Sequence, residues 1–262
     1  MGTLLLCLDI GNTHVVIGGY DGETLLHHWR VQTEHERTED EYAVTLLSLL
    51  SFAGVQPEDI RAVALCSVVP PLTSTFITIA EKFLGLTPFV IDATKDTGVQ
   101  IRVDNPAEVG ADRIANTAAV VHRYGGPACV VDFGTATTFD LVSREGAFIG
   151  GAIAPGLGVA ADALVRRTAK LPRVALEPPP SPIGTNTVHA MQSGIIWGYV
   201  GLMEGLIRRF ADILGADMKV IATGGWADKM ARLSPYIQHV DPWLTLEGIR
   251  LIYERNHRKN TS

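Results

Sequence analysis

The stretch Leu4-Leu5-Leu6-Cys7-Leu8-Asp9-Ile10-Gly11-Asn12-Thr13 carries most of the architectural information in the chain. Residues 4–8 are apolar without alternation, the mark of a strand covered on both faces and so of a sheet between helical layers. An acid, Asp9, ends the run, and a turn follows at residues 9–13. Apolar residues resume at 15–20 as a return strand, Asp21-Gly22 is a hairpin signal, and residues 24–31 form a third strand. The same order recurs later. A buried strand at 128–131 ends at Asp132, a turn holds Gly134 and Thr135, and strands at 137–142 and 147–153 flank the turn Glu145-Gly146. The two aspartates lie nearly half a chain apart, a spacing that fits duplication of a whole domain rather than a solenoid repeat.

Between and beyond these units, helical and extended patterns alternate, which predicts an α/β layer structure. Tyr42, Leu46, Leu49 and Leu50 lie at helical spacing and predict a helix over 39–53. Pro57-Glu58-Asp59 opens a loop or short helix before a buried strand at 62–67. A helix at 76–83, a strand at 88–91 and a helix at 112–121 follow. The apolar region 187–214 reads as helical, but two turns too long for one simple helix, given Gly194, Gly198, Gly201 and Gly205. A strand at 219–223 runs into Gly224-Gly225, and Leu246, Ile249, Ile252 and Tyr253 line one side of a last helix at 244–256. Residues 177–182 read as an exposed, flexible Pro-rich loop, and the tail beyond Asn256 as frayed. The expected domains are 1–117 and 118–262, with the last helix packing back on the first.

The 262 residues carry 47% apolar and 19% charged residues, ordinary globular values. A formal net charge of -6 and no basic run longer than a pair argue against nucleic acid as the main partner. The first apolar run is too short for a membrane span or a signal-peptide core, so a cytoplasmic protein with no membrane partner is expected. Cys7, Cys66 and Cys129 are widely spaced within apolar runs and read as buried hydrophobes.

The chemistry collects at the strand ends. A Gly-containing turn after a buried strand lets backbone N–H groups surround an anion, because Gly11 has no side chain to block approach. Asn12 and Thr13 add donors. Asp9 would repel phosphate but is suited to Mg²⁺, directly or through water. Thr135, Thr137 and Thr138 offer hydroxyls at the second turn, so two such hairpins are expected to clamp one polyphosphate from opposite sides. Gly224-Gly225 would leave bare backbone for a flat adenine. A further cluster, Asn105-Pro106-Ala107-Glu108-Val109-Gly110-Ala111-Asp112-Arg113, puts an Asp-Arg pair among small apolar neighbours at a helix start. That pair is expected to be partly buried and functional rather than a solvated surface pair. His14 and His189 lie near these motifs and read as bystanders.

The ordered set Asp9-x-Gly-Asn-Thr13, Gly110-Ala-Asp-Arg113, Asp132-Phe-Gly-Thr-Ala136, Gly184-Thr-Asn-Thr187, Ala222-Thr-Gly-Gly225 and Leu244-Thr-Leu-Glu-Gly248 resembles the type III pantothenate kinases, across essentially the whole chain. The resemblance implies two duplicated actin-like (ribonuclease H-like) α/β domains with mixed sheets flanked by helices. It also implies ATP-dependent phosphorylation of pantothenate, on the way to coenzyme A, by a homodimer. By that resemblance Asp112 accepts the proton of the substrate hydroxyl, and Gly110, Ala111, Asp112 and Arg113 contact pantothenate. Arg113 suits the substrate carboxylate, and Thr187 reaches it from the partner subunit. Asp9, Ile10, Gly11, Asn12, Thr13, His14, Val15 and Val16 form the first ATP segment; Gly134, Thr135, Gly224 and Gly225 form the rest. Asp132 holds K⁺ or NH₄⁺, and Mg²⁺ lies near Asp9. Val103 stands where many members carry a substrate-packing Tyr. Asp112 is expected to act with an ordinary pKa of about 3.9.

Other readings are another small-molecule kinase or a phosphatase of the same superfold, or a non-catalytic accessory transcription factor of the related type. An aspartic protease is set aside because Ile10 and Phe133, not Thr or Ser, follow the aspartates. No Walker-type Gly-x4-Gly-Lys-Ser/Thr stretch occurs, which excludes a P-loop kinase.

Overall fold

A computed structural model describes residues 2–92 and 94–258. The chain divides into two compact units, one of residues 1–119 and 243–262 and the other of residues 120–242.

In the first unit, β1 (Leu4–Ile10), β2 (His14–Asp21), β3 (Thr24–Gln32), β4 (Ile60–Ser67) and β5 (Phe89–Val90) form one sheet in the order β3-β2-β1-β4-β5. The first three strands are antiparallel neighbours, whereas β4 and β5 join in parallel. Successive side chains of β1 serve opposite faces of the sheet. Leu6, Leu8 and Ile10 pack with Tyr42, Leu46 and Leu50 of α1 (Glu39–Phe52) and with Leu72, Phe76 and Ile79 of α2 (Pro70–Leu84). Leu5 and Cys7 pack instead with Ile114, Ala115 and Ala118 of α3 (Ala111–Arg123) and with Leu246, Ile249 and Ile252 of α7 (Leu244–Arg258). This double cover is the physical reason the run lacks alternation, and each buried Leu contributes about 1.5–3 kcal/mol. Helix α7 comes so close to α3 that a Cβ on Gly248 would lie 1.9 Å from the Ala115 carbonyl oxygen.

In the second unit, β6 (Ala128–Phe133), β7 (Ala136–Val142), β8 (Phe148–Pro155), β9 (Lys219–Gly224) and β10 (His239–Val240) repeat the arrangement in the order β8-β7-β6-β9-β10. Here too the first three strands are antiparallel neighbours and the last two join in parallel. Cys129, Val131 and Phe133 of β6 pack against α5 (Thr187–Leu214), with α4 (Leu157–Arg166) and α6 (Ala227–Leu233) beside it. All three cysteines are buried and free.

Several expectations need correction. The region 187–214 is one 28-residue helix, not an interrupted one. Glycines cost a helix about 1 kcal/mol each, but Ile195, Ile196, Tyr199, Val200, Met203 and Ile207 bury a continuous face, and packing outweighs propensity. The helix expected at 76–83 begins at Pro70, where proline suits the first turn. The last helix runs to Arg258 instead of fraying after Asn256; residues 259–262, the rest of that tail, lie outside the described set. Residues 177–182 are irregular and mainly exposed, though Pro179 is buried. Helices α4 and α6 and strand β10 were not expected.

Candidate active site

In the first unit the chemistry gathers where β1, β4 and α3 end or begin. Asp9 is in register with Cys66 of β4 and Val16 of β2. The Cys66 thiol donates to Asp9 Oδ1 at 3.5 Å. Burial, with Asp9 and Asp112 nearby, pushes that thiol well up, so it stays protonated and remains a donor. Beyond Asp9 the chain turns sharply: Gly11 N–H donates to the His14 carbonyl at 3.0 Å. Thr33 braces this turn, its hydroxyl donating to the Gly11 carbonyl at 2.7 Å and its N–H to that of Thr13 at 2.9 Å. Asn12, Thr13 and His14 are left exposed. Burial and the nearby Arg30 lower the His14 pKa, so it is neutral at pH 7.

Asp112 sits in the first turn of α3, and its Oδ1 accepts the Arg113 N–H at 2.8 Å. Gly110 makes room for it, since a Cβ there would stand 2.5 Å from Oδ1. The expectation of an ordinary pKa is overturned. Burial raises the Asp112 pKa, and the Arg113 N–H, the Arg113 guanidinium and Asp112's own N–H offset this only in part. Arg113 is half-buried, as the sequence suggested for the pair, and so are Gly110, Ala111 and Val103. Of the expected residues in this unit, Asp9 is held by the Cys66 thiol, and the Asp112 charge also acts on that thiol.

In the second unit Asp132 is in register with Thr223 of β9 and Thr138 of β7, the positions that Cys66 and Val16 hold around Asp9. Gly134 N–H donates to the Ala136 carbonyl at 3.0 Å, and Gly225 N–H to that of Phe133 at 3.1 Å. Gly224 has φ +87, a conformation open mainly to glycine. A Cβ on it would lie 2.5 Å from Asp132 Oδ1 and 2.7 Å from the Phe133 carbonyl oxygen. The carboxylate of Asp132 therefore packs on bare backbone. Gly156, which sequence reasoning missed, is equally constrained: its N–H donates to the Thr135 carbonyl at 2.9 Å, and a Cβ would meet that oxygen at 2.3 Å. Gly134, Thr135 and Gly225 are exposed. Thr187 opens α5 behind the N-cap Asn186 and lines a cavity of about 530 Å³ with Leu164, Met191, Gly194 and Tyr199.

Among the described residues no three His, Cys, Asp or Glu side chains converge on a possible metal position. Mg²⁺ carried on phosphates asks for only one or two protein carboxylates, and the half-buried Asp9 at a strand end meets that demand. Among the same residues no helix is long and apolar enough to cross a membrane.

Comparison with solved structures supports the fold. The chain resembles a conserved putative Baf family transcriptional activator from Campylobacter jejuni with TM-score 0.62 and 18% identity, covering 97% of this chain and 99% of that one. It resembles the (R)-2-hydroxyglutaryl-CoA dehydratase component A of Acidaminococcus fermentans with TM-score 0.58 and 14% identity, covering 100% of both chains. An inorganic polyphosphate/ATP-glucomannokinase from Arthrobacter gives TM-score 0.51 at 14% identity, over 98% of this chain and 100% of that one. At such identities the likeness speaks for the fold alone, which is the duplicated actin-like one. Sequence comparison goes further. The family model described as type III pantothenate kinase matches residues 5–209. A type III pantothenate kinase of Roseiflexus castenholzii is 52% identical over 97% of this chain and 100% of its own length. That of Moorella thermoacetica is 51% identical over 97% and 100%. With a family model spanning most of the chain and relatives at half identity over nearly all of it, this protein belongs to the type III pantothenate kinase family.

Proposed function

We propose that this protein transfers the terminal phosphoryl group of ATP to the primary hydroxyl of pantothenate, giving 4'-phosphopantothenate and ADP as the first step towards coenzyme A. The observation that carries the reading is the half-buried Asp112 carboxylate, its pKa raised by partial burial, placed beside the side-chain-free Gly110 at the start of α3. As the substrate oxygen bonds to phosphorus and the bond from phosphorus to the ADP oxygen breaks, the hydroxyl proton passes to Asp112. A carboxylate whose pKa lies above the usual range is better matched to that task. Arg113 binds the pantothenate carboxylate with its two-pronged guanidinium, Gly110 and Ala111 give the substrate close approach, and Val103 offers it an aliphatic surface.

The turn residues Asp9, Ile10, Gly11, Asn12, Thr13, His14, Val15 and Val16 contact ATP phosphates, as do Gly134 and Thr135, while Gly224 and Gly225 adjoin the adenosine. Asp9 would hold Mg²⁺, directly or through water, and Asp132 would hold K⁺ or NH₄⁺; such cations would supply neutralisation of the phosphate charge. The protein works as a cytoplasmic homodimer in which Thr187 reaches the substrate of the partner subunit. Supporting the last point, Gly194, Gly198 and Gly201 lie on exposed turns of α5 with open space around them.

The test is release of ADP from ATP and Mg²⁺ with pantothenate, run with and without K⁺. Turnover that needs pantothenate is expected, with a K⁺ stimulation lost in Asp132→Ala. ADP release indifferent to pantothenate would sink the reading. Gly224→Ala probes the nucleotide side. It forces φ +87 on a residue with a Cβ, at about 1–2 kcal/mol, and drives that Cβ into Asp132. The expected result is a roughly tenfold or greater loss of ATP affinity with pantothenate affinity retained, read by titrating each ligand.

A further inference from the structure

Residues 91–110 lead from β5 to α3 and carry Val103 and Gly110 of the proposed substrate segment, yet the described residues among them form little regular structure. Such a loop is positioned only by what it is tied to. In its middle, Asp96 is tied to the last turns of α7. Arg255 Nε donates to Asp96 Oδ1 at 2.8 Å, an ion pair. Asn256 Nδ2 donates to the Asp96 carbonyl at 2.9 Å, and the Asp96 N–H donates back to Asn256 Oδ1 at 3.3 Å. The same Oδ1 of Asp96 accepts Gly98 N–H at 3.1 Å, fixing the turn that follows. At Gly98 the chain takes φ +72 and runs so close to Arg255 that a Cβ would lie 3.1 Å from its Cδ.

A second set of contacts holds the entry to the loop. Phe89 of β5 meets Tyr253 and His257 of α7 edge-on, at 5.8 and 5.4 Å between centroids, and Lys95 lies over the Phe89 ring at 5.5 Å. Downstream, Val99, Ile101 and Val109 pack on the cluster that contains Ile249, Ile252 and Tyr253 of α7. Loop and α7 therefore share one apolar cluster.

We infer that Asp96, Arg255 and Asn256 form a positioning clamp by which the end of α7 sets the affinity of this protein for its phosphoryl acceptor. None of the three is catalytic; they act through the loop that presents Val103 and Gly110. The inference rests on the substrate-segment reading given above. Half-exposed ion pairs and single hydrogen bonds are individually modest, so the effect is one of affinity rather than of folding.

The experiment measures kcat, both KM values and Tm for Asp96→Ala, Arg255→Ala, Asn256→Ala, Arg255→Lys and Asp96→Ala/Arg255→Ala, beside Arg113→Ala. The KM for pantothenate is expected to rise about threefold in Arg255→Ala and Asn256→Ala and about tenfold in Asp96→Ala. The KM for ATP and kcat should hold, and Tm should stay within about 2 °C. Arg255→Lys should recover part of the loss, and the double variant should be no worse than Asp96→Ala, since the groups act on each other. A scaffold role without positioning would move kcat, both KM values and Tm together, and that result overturns the inference. So does an unchanged pantothenate KM in Asp96→Ala while Arg113→Ala raises it, an outcome that leaves the substrate segment standing. If Arg113→Ala also leaves that KM unchanged, the segment reading fails and the clamp with it.

Discussion

Asp112→Asn lowers kcat by about 10²-fold or more while ATP affinity is retained and the protein melts no lower than its parent. The amide keeps the oxygen that accepts Arg113 N–H and removes only the basic lone pair, so geometry survives and proton acceptance does not. Stability follows from the direction of the pKa shift. Burial raises the Asp112 pKa above the unfolded value, so the folded chain binds that proton more tightly than the unfolded one. Above the raised pKa the ionised carboxyl detracts from stability; as pH falls through it towards the unfolded value of about 3.9 the penalty disappears. The Asn variant is therefore expected to match or exceed the parent Tm at pH 7, with any advantage shrinking on acidification. The same shift places the acid limb of kcat/KM above the range of an ordinary aspartate, with activity rising as pH rises through it. Thermal melts across pH, paired with a pH–rate profile, check both halves. Near-normal turnover in Asp112→Asn would remove the residue from the base role.

What the sequence did and did not disclose about this site has a physical pattern. Strand β1 was legible because both its faces are covered, and uninterrupted apolar character is the one-dimensional trace of that. The duplication was legible because each half repeats a buried strand, an Asp and a Gly turn, and the two sheets do share one strand order. Helix α4 was not: it follows Pro155-Gly156, which reads as punctuation, has no side-chain cap, and buries only Leu157 completely. Helix α6 has seven residues and β10 two, too few for any period to register. At the site, Asp9, Gly11, Asp112, Asp132 and Gly224 stood out by residue type and order. Thr33, Cys66 and Gly156 did not, since each acts through a partner distant in sequence: the Gly11 carbonyl, the Asp9 carboxylate and the Thr135 carbonyl. The raised pKa of Asp112 was hidden for a related reason. Burial is a property of what surrounds a group, and α3 alone does not reveal it.

Arg250→Ala is expected to destabilise the protein by about 3–5 kcal/mol, a fall in Tm of roughly 10 °C or more. Arg250 is 1% exposed on the inner side of α7. Its Nε and Nη2 donate to Glu247 at 3.2 and 2.8 Å, and its Nη1 forms an ion pair with Glu254 Oε1 at 2.9 Å, off the axis of a hydrogen bond. The guanidinium also lies 5.7 Å from the centroid of the Tyr20 ring in β2. Removing it takes from Glu247, itself 7% exposed, the guanidinium that holds both carboxylate oxygens, and losing that pairing at a buried charge dominates the loss. Burying the intact group was costly to begin with, so the apolar replacement Arg250→Met/Glu247→Leu/Glu254→Leu should melt near the parent or above it. The consequence reaches the chemistry through the packing of α7 on α3. Gly248, between the paired residues, lies against the Ala115 carbonyl of α3, one turn from Asp112. On this account, positioning of the proposed base depends on α7 staying packed, not on the charges that pack it. The triple variant should accordingly keep kcat, while Arg250→Ala should lose it on warming in step with unfolding. A melting point for Arg250→Ala within about 2 °C of the parent would show that Glu247 finds other compensation and that the buried pair does not hold the helix.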